Sequence, residues 1–293
     1  MSMELNMRKG VDEKTSNISV VIITFNEEKN LPYALKSIQD ISDDIHVVDS
    51  ESTDRTKEIA KQFGANFYTN GWVNWAVQRN WAQDNCRLKN EWILYLDADE
   101  QLTDDSRREI FDTIHRQGSR QIGYYLQFEF WFLGKRIRNA MNPHLRLIYA
   151  PKVRWSGVGA REYCSAPADS PVIKAHLIHD DHRGIKFWSQ KSIRNAEMEA
   201  RHLFDKKHGD ASDSGRGEGE ETSLKRKLRD HLDSYSPPII RAFVVFLFRL
   251  LFKTDLRDGW AGFTYTLFFG LWYPLLVDAI YIEMCMEKLK QEK

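Results

Sequence analysis

The chain has 293 residues, enough for one large domain with an appendage or for two domains, and its 42 basic and 42 acidic residues cancel to a formal net charge of zero. That balance excludes a global field for nucleic acid or an acidic partner, so any electrostatic function is local. Cys86, Cys164 and Cys285 are far apart and lack CxxC spacing, which argues against a disulfide framework or a cysteine zinc site and fits a reducing cytosol.

Residues 1–16 are polar and charged, without the apolar run of a secretory leader, and are expected to be flexible. Ile18 to Thr24 (ISVVIIT), Asp44 to Asp49 (DIHVVD) and Glu91 to Leu96 (EWILYL) are short β-branched or aliphatic runs bounded by polar turn residues, and they predict buried parallel strands. Helical patterns lie between them: Asn30 to Ile38, Asp54 to Phe63 with Ser52 or Thr53 as cap and Gly64 as stop, and Asn74 to Asn85. Strand alternating with helix predicts an α/β sheet. A further helix is expected from Thr103, with acids in its first turn and Gly118 past its end, and aromatic-rich Gln121 to Leu133 predicts strands of a second half.

Residues 206–224 lose apolar periodicity and read as a loop or linker. The expected organisation is therefore a catalytic domain over 17–205, with a donor half at about 17–117 and an acceptor half at about 118–205, the linker, and a helical region over 225–293. If Ile239 to Lys253 is helical, Arg241, Arg249 and Lys253 fall within about 120° of one another, opposite a face of Phe, Val and Leu. With Lys225, Arg226, Lys227 and Arg229 nearby, this predicts attraction to an anionic membrane surface. Gly259 to Val277 is uncharged but interrupted by Gly270 and Pro274, which favours burial at the interface over spanning. The alternative is that these helices pack on the catalytic domain or join a second copy of the chain.

The chemistry concentrates in WILYLDADEQ, which crowds Asp97, Asp99 and Glu100 at a strand end. In an extended segment Asp97 and Asp99 project to the same side. Such carboxylates repel unless a cation compensates, and hard ions such as Mg2+ prefer oxygen ligands, so a metal-diphosphate site accounts for the crowding. The bland alternative is an acidic approach to the next helix. A second acid, Asp49 in VVDSESTDRT, also follows a strand and can accept from a base or ribose, while Ser52 to Asp54 read as helix caps. TFNEEKN after the first strand contains no glycine, which excludes a dinucleotide-dependent oxidoreductase.

VVIITFNEEKNLPYALKS, VVDSESTDRTKEIA, GWVNWAVQRNWA and WILYLDADE occur in an order that resembles the family 2 glycosyltransferases. The resemblance implies a GT-A nucleotide-sugar-binding mixed sheet flanked by helices. It implies donor contacts from Thr24, Asn26, Glu27, Asp49, Ser52, Arg79, Asn80, Asp97 and Ala98, and a Mg2+ or Mn2+ ion on Asp97 and Asp99, with Asp99 the direct ligand. Trp72, Trp75 and Trp81 are expected to be core. HLRLIYAPKVRWSGVGAREYC and LIHDDHRGIKFWSQKSIRNAEMEA are similar to the lipopolysaccharide-core β-glucosyltransferase branch, except that Arg161-Glu162 replaces that branch's His-Glu. Glu162 is the expected general base, Asp180 and Asp181 are its rivals, Glu100 supports the cluster, and His179, Asp180 and His182 are candidate acceptor contacts. His176, His179 and His182 are spaced by three, but a strand-turn is poor geometry for zinc.

What the resemblance implies is an inverting hexosyltransferase. It would act on a lipid-anchored envelope saccharide, peripheral at the inner face of the cytoplasmic membrane. The alternatives are transfer to a polyprenyl phosphate and a non-catalytic membrane-bound scaffold that binds sugar nucleotides.

Overall fold

A computed structural model describes residues 17–116, 121–138, 140–158, 161–167, 169–208, 239–252 and 255–291. The expected flexible N-terminus, the basic cluster at 225–229 and most of the expected linker lie outside the described residues. The linker's first three residues are a correction: they end α5 (Gly184–His208) as helix.

The first half is built as its hydrophobic runs dictate. β1 (Ile18–Thr24), β2 (Ile45–Asp49) and β4 (Trp92–Asp97) are apolar on both faces because helices cover both. Val20 and Ile22 pack with Leu31 and Leu35 of α1 (Leu31–Ile38) and Ile59 of α2 (Thr56–Gln62), whereas Val21 packs with Ala76 and Ala82 of α3 (Trp75–Asn85). β3 (Asn66–Thr69), which the sequence pattern does not announce, completes this half beside β2.

β1 pairs in parallel with β2 on one side and β4 on the other. Successive crossovers therefore leave β1 in opposite directions, opening a crevice at the carboxyl ends of the strands. Thr24 lies beside Asp49 and Ile23 beside Asp97, so the polar residues that end the three strands share one edge.

The second half adds β5 (Glu100–Leu102), β6 (Gly123–Phe132), β7 (Lys135–Ile137), β8 (His144–Tyr149) and β11 (Val172–Asp180). Among the described residues nine strands form one mixed sheet in the order β3-β2-β1-β4-β8-β6-β11-β5, with β7 on β6. β9 (Trp155–Val158) and β10 (Arg161–Cys164) form a separate antiparallel pair. α4 (Asp104–His115) starts at Thr103 with a reciprocal capping box to Ser106, as its first turn requires.

At the C-terminus, α6 (Ile240–Phe252) is succeeded by α7 (Gly259–Tyr265), a π-helical turn over Thr266–Trp272, and α8 (Tyr273–Gln291). Residues 259–291 are one helical stretch, long and apolar enough by length and composition to cross a membrane. Gly270 and Pro274 do not interrupt it, contrary to expectation. Pro274 has no N–H to offer the Gly270 carbonyl four residues earlier, and the widened turn absorbs that loss. α8 packs along α5 through Val277 and Tyr273 against Ala196, Ala200 and Leu203. On α6 the apolar residues Phe243, Val244, Leu247 and Phe248 face outward, while Arg249 turns inward over the Tyr265 ring at 5.2 Å.

Candidate active site

In the crevice, Asp49 accepts hydrogen bonds from Thr24 Oγ1 at 2.7 Å and from Ser52 through both its backbone N–H at 2.7 Å and its Oγ at 2.6 Å. Ser52 Oγ in turn accepts from the Asn26 backbone N–H at 2.7 Å. Asn26 has a positive φ of 54°, which Asn tolerates better than most side chains, and its Oδ1 accepts from Thr53 N–H at 2.9 Å. Ser52 and Thr53 thus do not cap α2, a correction to the expectation from sequence: the residue preceding that helix is Arg55, which makes no side-chain cap. They fasten the β1 and β2 loops to each other around a buried acid.

The acid cluster is divided by its cations. β4 ends at Asp97, and Ala98 and Asp99 form a turn before β5, so the extended geometry expected for the pair is not realised. Asp97 Oδ2 accepts from Arg146 Nη2 at 2.7 Å, and its Oδ1 lies 3.5 Å from Arg79 Nη2. Burial raises the Asp97 carboxyl, but Arg146 and then Arg79 outweigh it and hold it well below the usual carboxylate range. Glu100 is wholly buried, accepts from Arg146 and from the Asp97 backbone N–H at 3.0 Å, and is pushed up to about 8 by burial, with Asp97 and Asp99 adding.

Asp99 makes no close ion pair. His179 Nδ1 stands 3.6 Å from one of its oxygens and Arg183 Nη2 3.7 Å from the other. Glu27, on the facing loop, is raised to about 8 by burial and then by Asp99, although Arg183 and Asn30 bond to it.

Arg79 is 2% exposed and sits 4.8 Å from the ring centres of both Tyr95 and Trp155. Its Nε donates to Glu162 Oε1 at 2.6 Å, so Glu162 joins the Asp97 side of the cluster through that guanidinium. Asn80 does not point to the crevice. It exchanges two hydrogen bonds with the Trp155 backbone, at 2.8 and 3.0 Å, and thereby fixes β9 to α3. Of the three tryptophans expected in the core, Trp72 is instead 42% exposed and meets Trp75 edge to face at 4.8 Å.

The HDDHRG turn approaches from the other side. The Asp180 backbone N–H donates to the Asp99 carbonyl at 3.0 Å, continuing the β5–β11 ladder that pairs His179 with Glu100. Arg183 holds Asp181 with two bonds, Nε at 2.8 Å and Nη2 at 2.7 Å, and holds its carboxyl below the usual range against the effect of burial. The His182 ring lies against Tyr33 at 4.3 Å. A cleft of about 640 Å³ opens here, lined by Asp99, Asp180 and Lys191 and by aromatic residues of β6, α5 and the C-terminal helix. Glu162 does not line it.

Arg146 and Arg183 are absent from the candidates named on sequence. Arg146 has a legible signal, since a guanidinium in the apolar run HLRLIY demands a buried anion. Arg183 has none, because a basic residue after a DD turn is ordinary.

Residues 19–157 match the family model for glycosyl transferase family 2. This part of the chain is a family 2 glycosyltransferase domain. A protein of Rickettsia bellii named an uncharacterized glycosyltransferase is 43% identical over 96 residues, covering 33% of this chain and 32% of its own length. An uncharacterized glycosyltransferase of Rickettsia typhi is 36% identical over 135 residues, covering 44% and 45%. The chain thus spans less than half the length of these relatives. Staphylococcus aureus TarS, solved with UDP-GlcNAc, is similar over 85% of this chain and 79% of its own, with 14% identity and a TM-score of 0.45.

The acids fit a divalent ion that is shared with a diphosphate. Among the described residues no cluster of three or more Asp, Glu, His or Cys could hold a metal alone. Mg2+ needs only one or two carboxylates when substrate phosphates supply the rest. Asp97 Oδ1 is buried without a hydrogen-bond partner, and His179 Nδ1 and Arg183 Nη2 stand beyond hydrogen-bonding distance of Asp99.

Proposed function

We propose that the family 2 domain transfers a sugar, with inversion, from a nucleotide-sugar donor to a lipid-anchored saccharide at a membrane surface. The observation that carries this reading is the shared edge: Asp49 and Asp97 end the strands on either side of β1, Asp99 follows in the turn after β4, and an open cleft is lined by Asp99.

In this reading Asp49, with Thr24 and Ser52 fixed around it, receives the base or ribose of the donor. Asn26 and Glu27 form the facing loop. Asp99 would be the direct ligand of Mg2+ or Mn2+, and Asp97, held through Oδ2 by Arg146, would lend Oδ1, which faces Arg79 at 3.5 Å without a hydrogen bond. The ion, when bound, acts as a Lewis acid on the departing diphosphate. Asp180 takes the acceptor hydroxyl's proton, because it lines the cleft, whereas Asp181 is occupied by Arg183 and Glu162 by Arg79.

Membrane association rests on the outward apolar face of α6 and on Trp260, which is 80% exposed. The packing of α8 along α5 supports a C-terminal stretch that lies at the interface rather than across it. A lipopolysaccharide inner core, with UDP-glucose as donor, is the acceptor implied by the glucosyltransferase branch that the second-half segments resemble.

The test is calorimetric titration with UDP, GDP and their sugars, with and without Mn2+. Metal-dependent binding of one nucleotide, lost in Asp99→Ala with the circular dichroism spectrum unchanged, supports the assignment. Absence of binding to every nucleotide refutes transfer from a nucleotide sugar.

A further inference from the structure

The cleft beside Asp99 changes character along its length. At the Asp99 end stand Asp180, Lys191 and the His179 ring, and away from it the walls are Trp188, Phe269 and Tyr273. These walls are continuous. The His179 ring stacks on Phe130 at 5.3 Å, Phe130 meets Tyr265 at 5.3 Å, and Tyr265 meets Phe269 at 4.3 Å.

The aromatic wall depends on the π-turn. In an unbroken α-helix each four-residue step rotates by about 40°, so Tyr265 and Tyr273 would diverge by about 80°. The turn over Thr266–Trp272 winds less per residue and keeps Tyr265, Phe269 and Tyr273 all on the cleft. Pro274 enforces that turn, and Gly270 gives α6 room on its other side, where an added Cβ would stand 3.1 Å from Arg249 Cδ. The segment that walls the cleft therefore also carries the helix whose apolar face is exposed.

At the polar end two observations specify a ligand. Trp131, a lining residue, stands beside Asp180 in the β6–β11 pairing and supplies an aromatic surface on which a sugar can pack. Asp99 and Asp180 accept from hydroxyls and repel a bare phosphate head.

Resting on the transferase reading, we propose that this cleft is the acceptor site for a glycolipid. The terminal sugar lies against Trp131 and Asp180, and the first part of the lipid lies along Trp188, Phe269 and Tyr273 towards the membrane-facing helices.

Octyl β-glucoside below its micellar concentration, free glucose and octyl phosphate are the probes, titrated into the full chain alongside the nucleotides. The octyl glucoside is expected to bind at least about tenfold more tightly than glucose, because its chain leaves water. Trp131→Ala should weaken it by about three- to tenfold through loss of that aromatic surface, and Phe269→Leu should weaken it while leaving glucose and nucleotide binding unchanged. Equal affinity for octyl glucoside and glucose, indifference to both substitutions, or a preference for octyl phosphate would each overturn the assignment. Nucleotide binding without glucoside binding defeats this assignment alone. Loss of nucleotide binding in the unsubstituted chain defeats the transferase reading beneath it.

Discussion

Arg146→Met isolates the charge balance on which the acid cluster rests. Arg146 is 3% exposed and donates to both Asp97 and Glu100, so methionine fills the volume of its stem but leaves two buried carboxyls without their main cation. Breaking one side of a buried ion pair costs about 3–5 kcal/mol. At about 2–4 °C per kcal/mol, the melting temperature should fall by about 6–20 °C.

The loss should depend on pH, with a definite sign. Without Arg146 both carboxyls are expected to hold their protons more tightly in the folded than in the unfolded chain. Their contribution is then intact below the unfolded value and lost as pH rises. The variant should therefore melt closest to wild type near pH 5.5 and furthest below it near pH 8.5, as read by circular dichroism in about half-unit pH steps. A loss under about 2 °C, or one equal at both pH values, would show that Arg146 is not the counter-ion of this cluster.

Asp180→Asn should lower turnover by about a hundredfold or more with nucleotide affinity retained, whereas Glu162→Gln should cost less; a reversed order in a donor-consumption assay would move the base to Glu162. Glu27 and Glu100 are both raised to about 8, so the stability they lend the metal-free protein is full below the ordinary carboxylate range and is lost as pH rises towards 8. Its melting temperature should accordingly fall from about pH 5.5 to about pH 8.5, and a flat or rising profile would contradict both shifts. Leu247→Glu with Phe248→Glu, on the exposed face of α6, should abolish co-sedimentation with phosphatidylglycerol vesicles without changing the melting temperature by more than about 2 °C. Retained sedimentation would place the membrane contact elsewhere.

The donor half was legible because its signals are local. Unalternating apolar runs such as ISVVIIT fit strands covered on both faces, and the reciprocal cap between Thr103 and Ser106 at the start of α4 is made three residues apart. The details that escaped are those decided by distant partners. Ser52 looks like a helix cap until β1 brings Asn26 within 2.7 Å of it. Asn80 looks like a ligand contact until β9 arrives 75 positions later to take both ends of its amide. The turn at Ala98 and Asp99 could not be read as such from WILYLDADEQ, because the pairing of β5 with β11 that bends the chain there is fixed some eighty residues downstream. Composition likewise showed that Gly259 to Val277 is uncharged, but the continuity of the helix through Gly270 and Pro274 depends on a π-turn that no periodicity announces.

That pairing also ties together the two carboxylates proposed to serve the two substrates. The two halves of the sheet are joined at β4 with β8 and again at β5 with β11, and the second join places the Asp99 carbonyl 3.0 Å from the Asp180 N–H. The residue assigned to the metal and the residue assigned to the proton are thus tied by backbone rather than by flexible side chains. Asp181 bonds Asn30 at 2.9 Å, and Arg183 reaches both Asp181 and Glu27, which fastens the same turn to the start of α1. A base held this way can meet an acceptor hydroxyl without an ordering cost at the moment of reaction, which is the advantage preorganisation confers. Lengthening that tie, by inserting one glycine between Asp180 and Asp181, should therefore lower kcat by about tenfold or more while nucleotide affinity, set at Asp49, is unchanged. A fall in nucleotide affinity of similar size would mean that the turn supports the donor crevice instead.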